Sequence, residues 1–493
     1  MTERPTKAQA PRLLGWIGGA GADAIGRLIL LSGSTMALSR LCSPRDFGVA
    51  ALVLTLVTVA AVFVGAPFEE ALTQLPRLRA RHLSAALAAS WLIAALLFAL
   101  TLFAATPLAR LYDAPEIGAM LPVAMTSIFF SGHSDVIASL ARRRRRFNEL
   151  VYATLASHII GVALSLVIAG FGHALWALVL QRVLIVFSRA VILQWRIGFT
   201  VSPRWSSAPL RELARYASFS FLARLADSLT YLAFNNLVQG LYGVAEVGQV
   251  NMAMRIIEPI RSAVTATGHN LAFSYFARAR DDPKRLRQLC DDVISTTAFA
   301  VAPVFVGLAA IAPVLLPVFA GKGWEEAALV AISLSLASAL SAPSGLIFTA
   351  FSANGRPDLS FFSLIASFAA TVAALFGAGG LGLASVGLSR IVGDGVRTAI
   401  AVGVAPQSAE WPWRARLAAL LPAWTLAALM GLAVTAFNSV APGGPSLGRL
   451  AMLVGVGFVT YALLMAAFAR PAFELFIGPL VRLVPSLRHQ ASA

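Results

Sequence analysis

The chain has 493 residues, of which 58% are apolar and only 13% are charged, and its mean hydropathy is +0.77. A soluble globular chain carries about 25% charged residues, so this composition excludes a soluble enzyme, a nucleic-acid-binding domain and a disordered scaffold. It indicates a protein with many membrane spans, and the net charge of +16 therefore has to be interpreted by where the basic residues lie relative to those spans.

Apolar stretches that are long enough to cross a bilayer recur along the whole chain, since a spanning helix needs about 20 residues. Divided at glycines, prolines and charge clusters, they predict fourteen helices with no connection long enough to hold a folded extramembrane domain. In chain order, the predicted helices 1 to 14 cover residues 14–39, 47–66, 84–107, 117–139, 149–170, 174–194, 217–241, 245–275, 293–319, 326–351, 359–377, 381–403, 417–437 and 450–469.

The basic residues give this order of helices an orientation. With the N-terminus in the cytoplasm, 26 of the 39 Lys and Arg residues fall in cytoplasmic segments, 5 fall outside and 8 lie within helices. Cytoplasmic loops carry the excess of Lys and Arg in membrane proteins, so both termini are predicted to be cytoplasmic. The densest cluster, Arg142–Arg146, is interpreted as a determinant of this topology that also contacts anionic headgroups, and not as a nucleic-acid site.

The two halves of the chain resemble each other at an offset of about 200–210 residues. The matched residues are Leu41, Asp46 and Gly48 with Leu241, Glu246 and Gly248, and Arg146, Ala156, Ser157 and Gly172 with Arg356, Ala366, Ser367 and Gly382. Helix 1 thereby corresponds to helix 7 and helix 5 to helix 11. Because six is an even number, the two bundles enter the membrane from the same side, as parallel repeats do.

The sequence therefore predicts an all-α polytopic membrane protein with about 14 transmembrane helices, arranged as two six-helix lobes and two C-terminal helices. Two such lobes are the architecture of an alternating-access transporter, which holds its substrate between them near the middle of the membrane. The predicted parts are a cytoplasmic tail (1–13), an N-lobe (14–194), a cytoplasmic linker (195–216), a C-lobe (217–403), and helices 13 and 14 with a cytoplasmic tail (404–493).

Ionisable residues inside the predicted spans are the candidates for a site, because charge in a bilayer is costly and usually faces a pair or a watery cavity. One interpretation is structural: the charges neutralise each other or extend to headgroups near span ends. The other is an arginine-rich cavity that selects an anion, since a guanidinium binds phosphate oxygens in pairs. The candidate substrate-binding residues are Arg27, Arg224, Arg255, Arg261 and Arg390.

No nucleotide-binding loop, metal-spaced Cys/His set or nucleophile motif occurs in the sequence, so neither an enzyme nor a cofactor is expected. Transport then draws on an ion gradient or on consumption of the substrate on the far side. The candidate ion-coupling carboxylates are Asp23, Asp135, Glu258 and Asp394. Glu258 is favoured because Arg255 and Arg261 flank it on one helix face, although the three also fit a static clamp. His133, two residues before Asp135, is either a proton carrier together with that acid or, the favoured interpretation, a hydrogen-bonded structural side chain.

Five segments resemble the polysaccharide transport family, the O-antigen and exopolysaccharide flippases of the multidrug/oligosaccharidyl-lipid/polysaccharide exporter superfamily. They are Leu38–Gly48, Ala71–Gln74, Arg146–Phe147, Gly172–Arg182 and Gly355–Leu359. The resemblance implies that an oligosaccharide linked to undecaprenyl diphosphate is flipped from the cytoplasmic to the periplasmic leaflet of the bacterial inner membrane. Membrane lipids and a polysaccharide polymerase or export machinery are the further partners that it implies.

Two other functions stay open at this point. A cation-coupled multidrug exporter of the same superfamily would line its cavity with acids and aromatic rings, whereas this chain has arginine in excess within its spans. A membrane component that only scaffolds a polysaccharide synthase would need neither the internal repeat nor charges inside its spans.

Overall fold

The computed structural model describes residue 26 and residues 30–278, 283–353, 356–404, 412–441 and 443–470, and every regular element within these residues is helical. A short helix, α1, covers residues 30–39. The helices that follow are α2 (Pro44–Val64), α3 (Ala66–Gln74), α4 (Ala80–Leu111), α5 (Glu116–Met125), α6 (Ser127–Arg143), α7 (Phe147–Gly170), α8 (Ala174–Ile197), α9 (Ser207–Tyr242), α10 (Val244–Arg278), α11 (Pro283–Ala320), α12 (Glu325–Ala353), α13 (Pro357–Gly377), α14 (Leu383–Gly403), α15 (Trp413–Val440) and α16 (Leu447–Phe468).

These helices confirm the predicted all-α membrane fold. In the part of the chain that the structure describes, nine helical segments are long and apolar enough to cross a membrane, with α2 and α3 counted together. Each predicted helix from 2 to 14 coincides with one of the helices above, except that helix 4 divides into α5 and α6; α3 follows the end of predicted helix 2 and was not predicted. Predicted helix 1 lies mostly outside the described residues, and the count of fourteen spans stays a prediction.

The break between α2 and α3 has a clear local cause. α2 ends at Gly65, and Pro67, which has no backbone N–H to donate, stands in the first turn of α3. A Cβ atom on Gly65 would lie 2.3 Å from Oδ2 of Asp135, so a larger residue here would require the Asp135 side chain to move. The break therefore brings a candidate carboxylate of α6 directly against the backbone of the α2–α3 junction.

The chain forms two compact units that divide within α10, between Asn251 and Met252. In the first unit, a buried apolar cluster joins α3, α4 and α6 with the end of α8 and the start of α9. In the second unit, another buried cluster joins α11, α12, α14, α15 and α16. The lobe boundaries at 194, 217 and 403 stay a prediction.

The connection from α8 to α9 is fixed to the start of α4. The Ser84 hydroxyl donates to the carbonyl oxygen of Ser202 over 2.6 Å. Nε2 of the buried His82 lies 3.0 Å from Glu212, and Nδ1 accepts the backbone N–H of Arg79, so the proton is placed on Nε2. These bonds set the position at which α9 enters the first unit.

Local geometry at matched positions supports the internal repeat. Arg146 and Arg356 precede α7 and α13 with ψ angles of 55° and 57°, and each backbone N–H donates over 2.9 Å to the carbonyl oxygen five residues earlier. Gly172 and Gly382 precede α8 and α14, and both have positive φ, +86° and +59°. A conformation that favours glycine is thus used at the same place in both halves.

Candidate substrate site

The strongest charge cluster of the first unit is centred on a carboxylate that the search of predicted spans did not select. Glu69, in α3, is buried and contacts arginines from two other helices. Its Oε1 lies 2.5 Å from Arg142 of α6, and its Oε2 lies 3.4 Å from Arg224 of α9. Arg224, a predicted substrate-binding residue, is thus held in part by an acid of the protein itself, while 49% of its side chain remains exposed.

Asp135, a predicted ion-coupling residue, lies in the same unit on α6. Its Oδ1 accepts a hydrogen bond from Arg189 of α8 over 3.4 Å, and only 18% of its side chain is exposed. It also interacts electrostatically with Glu69, Arg142 and Arg182. Four arginines therefore surround two carboxylates, which leaves an excess of positive charge in this part of the unit.

Two of the five consecutive arginines, Arg142 and Arg143, contact α3, in addition to the topological role predicted for the cluster. Beside the contact of Arg142 with Glu69, the guanidinium of Arg143 donates to the carbonyl oxygens of Leu72, Thr73, Leu75 and Pro76 at the end of α3. A cation at a helix C-terminus satisfies carbonyls that have no partner within the helix. The cluster thus fixes α3, and with it Glu69, against α6.

The predicted residues of α10 and α14 belong to the second unit. Nε and Nη2 of Arg261 donate to the two carboxylate oxygens of Glu258 over 2.8 and 2.7 Å, which is the i, i+3 pair that the sequence predicts. Arg255 is half-buried one turn earlier. In α14, Arg390 and Asp394 are both partly buried, and the roles of all five residues stay predictions.

Two other predicted residues, Asp23 and Arg27, lie outside the described residues. His133 has the structural environment that was expected. Its Nε2 lies 3.0 Å from Oε1 of Gln194, whose amide in turn donates to the carbonyl oxygen of Phe199. The contact is read as Nε2–H donating to the amide oxygen, and it gives His133 a partner other than Asp135.

A second polar feature of the first unit was also missed, because it contains no charge. Asn235 of α9 donates to the Thr55 hydroxyl of α2 over 3.0 Å, and Asn251 of α10 donates to Asn235 over 3.2 Å. The hydroxyl of Tyr231 donates to Asn251 over 2.6 Å. Buried amides in a membrane need such partners, so this chain of bonds links α2, α9 and α10. Asparagines within predicted spans were the available signal.

Chemically, the first unit offers guanidinium groups backed by carboxylates, an arrangement that suits an anion with several oxygens. Among the described residues, no three or more His, Cys, Asp and Glu side chains come together in an arrangement that could hold a metal ion.

Comparison with known proteins gives consistent matches. A family model described as "Polysaccharide biosynthesis protein" matches residues 37–329. The succinoglycan biosynthesis transport protein ExoT of Rhizobium meliloti (strain 1021) is 26% identical over 342 residues, which is 69% of each chain.

Two solved structures share the fold. The lipid II flippase MurJ in an inward closed conformation has a TM-score of 0.74 at 12% identity, over 94% of this chain and 100% of that one. An inward-facing multidrug resistance MATE family transporter of the MOP superfamily has a TM-score of 0.57 at 14% identity, over 84% and 96% of the two chains. At these identities the likeness is one of fold.

Proposed function

Since the chain belongs to the family of polysaccharide biosynthesis proteins, we propose that it flips an oligosaccharide linked to undecaprenyl diphosphate from the cytoplasmic to the periplasmic leaflet. The chain is a multi-pass membrane transporter of the MOP superfamily, not an enzyme, and acts in polysaccharide biosynthesis. The proposal adds the lipid carrier, the direction and the bacterial inner membrane. Polymerase or export machinery would receive the flipped product.

The observation that carries the proposal is the position of Arg224. It lies in α9, within a predicted span, yet half of its side chain is exposed. A guanidinium in such a place is stable when it faces water or an anion. A diphosphate offers several oxygens to the planar fork of the guanidinium, and the surplus of arginine over acid nearby favours the same class of ligand.

The alternative is a cation-coupled multidrug exporter, which the fold shared with a MATE transporter supports. An organic cation would need a carboxylate that is not already neutralised. Glu69 and Asp135 are each bound by arginine, and this disfavours a cationic cargo at that position.

The test is translocation in proteoliposomes that carry an undecaprenyl-diphosphate-linked oligosaccharide, scored by the sugar's accessibility to an added glycosidase. Wild type should move the lipid across. Arg224→Ala should reduce the rate about tenfold or more, the effect of losing a charge-assisted hydrogen bond worth about 1.5–3 kcal/mol. Arg224→Lys should retain part of the rate, because ammonium cannot form the paired bonds.

Arg196→Ala is the matched control, because Arg196 also pairs with a glutamate, Glu149, but lies at the end of α8. It should translocate like wild type. A wild-type protein that moves an organic cation and not the lipid would establish the exporter instead. Equal rates for all the variants would mean that Arg224 is structural.

The direction of flipping depends on the predicted topology, with both termini in the cytoplasm. The native cysteines are poor reporters of that topology, because Cys42 and Cys290 are both buried. The exposed Lys322 and Arg204 are better positions. An impermeant maleimide applied to intact cells should label Lys322→Cys and should reach Arg204→Cys only after permeabilisation; the reverse pattern would invert the map.

A further inference from the structure

Glu69 binds two arginines unequally. Its contact with Arg142 is 2.5 Å long, whereas its contact with Arg224 is 3.4 Å long. The exposed fractions differ in the same sense: 11% for the Glu69 side chain, 36% for Arg142 and 49% for Arg224. The short contact would therefore keep the carboxylate neutralised if the longer one were given up.

Each helix of this cluster approaches it with the end that is predicted to be cytoplasmic. Glu69 follows predicted helix 2, Arg142 follows predicted helix 4, and Arg224 lies two turns into predicted helix 7. On this topology the cluster stands where the headgroup of a lipid in the cytoplasmic leaflet first meets the protein. The excess of arginine over carboxylate described above gives the same place a net attraction for an anion.

We propose that Glu69 is a positioning residue that holds Arg224 in the substrate-free protein and releases it to the diphosphate of the incoming lipid. Arg142 keeps Glu69 neutralised when Arg224 turns away, so the exchange leaves no buried charge without a partner. Glu69 thereby lowers the affinity for the diphosphate and allows Arg224 to be taken back when the lipid departs. This inference rests on the proposed function.

The test is the dissociation constant of farnesyl diphosphate, a soluble polyprenyl diphosphate, for the purified full-length protein, with farnesol as the phosphate-free probe. Glu69→Gln removes the competing charge and should tighten farnesyl diphosphate binding about threefold to tenfold, which corresponds to about 0.6–1.4 kcal/mol. A residue with only a structural role would weaken binding when replaced, or leave it unchanged.

Glu149→Gln is a close control. Glu149 also binds one arginine at short distance, Arg196 at 2.6 Å, and a second, Arg146, at 3.4 Å. None of its partners is a predicted substrate residue, so its neutralisation should leave the dissociation constant unchanged. Tightening in both variants would reveal a general effect of net charge and would overturn the inference.

A second variant keeps the test independent of how Glu69→Gln folds. Arg142→Gln leaves Glu69 with Arg224 alone, so Arg224 should be held more firmly and farnesyl diphosphate should bind more weakly. In a Glu69→Gln background the same change should have little effect, and this non-additivity is the signature of competition. Additive effects would overturn the inference.

The two proposals fail in different ways. A wild-type protein that binds farnesyl diphosphate no better than farnesol would contradict the proposed function and, with it, the competition. A wild-type protein that binds farnesyl diphosphate selectively, with a Glu69→Gln variant that binds it equally or more weakly, would contradict only the role of Glu69.

Discussion

Gly48 and Gly248 meet where α2 and α10 begin, and each lies against the backbone of the other's helix. A Cβ atom on Gly48 would stand 1.8 Å from the carbonyl oxygen of Val244, and one on Gly248 would stand 1.8 Å from the carbonyl oxygen of Pro44. Val244 lies four residues before Gly248, and Pro44 lies four residues before Gly48, so the two contacts are equivalent. Such reciprocity is what two equivalent segments show about a local two-fold axis, and these glycines are matched positions of the repeat.

Substituting either glycine should destabilise the protein strongly. Gly48→Ala or Gly248→Ala places a methyl group in steric overlap with a backbone carbonyl oxygen. The overlap can be relieved only if α2 and α10 move apart. We expect each change to lower the free energy of unfolding by about 1–3 kcal/mol, the usual cost of overpacking. Thermal unfolding of the purified protein in detergent micelles measures the effect.

Gly345→Ala is the control for these substitutions, because Gly345 lies within α12 and a Cβ atom there would meet nothing within 4 Å. Alanine is favoured over glycine in a helix by about 1 kcal/mol, so this variant should unfold at the same temperature as wild type or above it. If all three variants lost the same amount of thermal stability, the close contact between α2 and α10 would not be the cause of the loss.

The repeat could be predicted from the sequence because its matched residues keep register with the helices. The close contact of Gly48 with Gly248 could not, since a matched pair of glycines says nothing about which backbones touch. Helix ends were also misjudged where a helix continues past the apolar stretch: α9 begins at Ser207 and α11 at Pro283, about ten residues before the predicted spans. The first turns of α9 and α11 contain charged residues, so a prediction based on hydropathy does not recognise them as parts of these helices.

The candidate site was predictable only in part, for a related reason. A search for charges inside spans finds Arg224 and Asp135, but Glu69 lies in α3, beyond residue 66, at which predicted helix 2 ends. The i, i+3 pair of Glu258 with Arg261 is set by helical spacing alone, so the sequence was sufficient to predict it. Partners from different helices, such as Glu69 with Arg224, depend on packing that spacing along the chain does not define.

Replacing Arg145 by glycine should stabilise the protein. Arg145 follows α6 with φ of +55°, a left-handed conformation that costs a residue with a Cβ atom about 1 kcal/mol. Arg145→Gly should therefore raise the free energy of unfolding by about that amount. Arg144→Gly removes the same charge at φ of −78°, where glycine gains nothing. The unfolding temperature of Arg145→Gly should be higher than that of wild type, and that of Arg144→Gly should be equal or lower. The opposite ranking would show that the backbone of Arg145 is not strained.

The pair of Arg45 with Glu116 should make stability depend on pH. Nη1 of Arg45 lies 2.6 Å from Glu116, and this hydrogen bond lowers the pKa of that carboxyl below its ordinary value. A carboxyl whose pKa is lower in the folded state stabilises the protein fully above its unfolded pKa of about 4.3 and loses that contribution as the pH falls through the folded value. Because the pair is partly exposed, the contribution is at most about 1 kcal/mol.

Unfolding temperatures measured from pH 7 to pH 3 check this dependence. Glu116→Gln should lie slightly below wild type at neutral pH, and the gap should close in acid. The exposed pair of Arg356 with Asp358 provides a comparison at another surface, and Asp358→Asn should leave the pH dependence contributed by Glu116 unchanged. If the difference in unfolding temperature between wild type and Glu116→Gln did not change with pH, the ionised carboxylate of Glu116 would not be the source of the stabilisation.

Ion coupling is the remaining prediction, and Glu258 is the residue on which it depends. Its carboxylate is held by two nitrogens of Arg261, Nε and Nη2, while 52% of its side chain is exposed. A diphosphate that binds Arg261 would displace the Glu258 carboxylate from that guanidinium, and a proton delivered to the carboxylate would assist the displacement. Proton and substrate occupancy would then be linked, and linkage of this kind acts equally in both directions.

Proteoliposomes with and without an imposed pH gradient test this coupling. A gradient of about one pH unit supplies about 1.4 kcal/mol per proton, so wild-type translocation should rise up to about tenfold, whereas Glu258→Gln should move the lipid at a rate that the gradient does not change. Asp135→Asn is the comparison variant. Among the described residues, Asp135 pairs with Arg189 of α8 and not with a residue of α10. This variant should therefore keep the response of the wild type to the gradient. A wild type that ignores the gradient would end proton coupling, and a Glu258→Gln variant that still responds would move the coupling site to Asp135, Asp394 or Asp23.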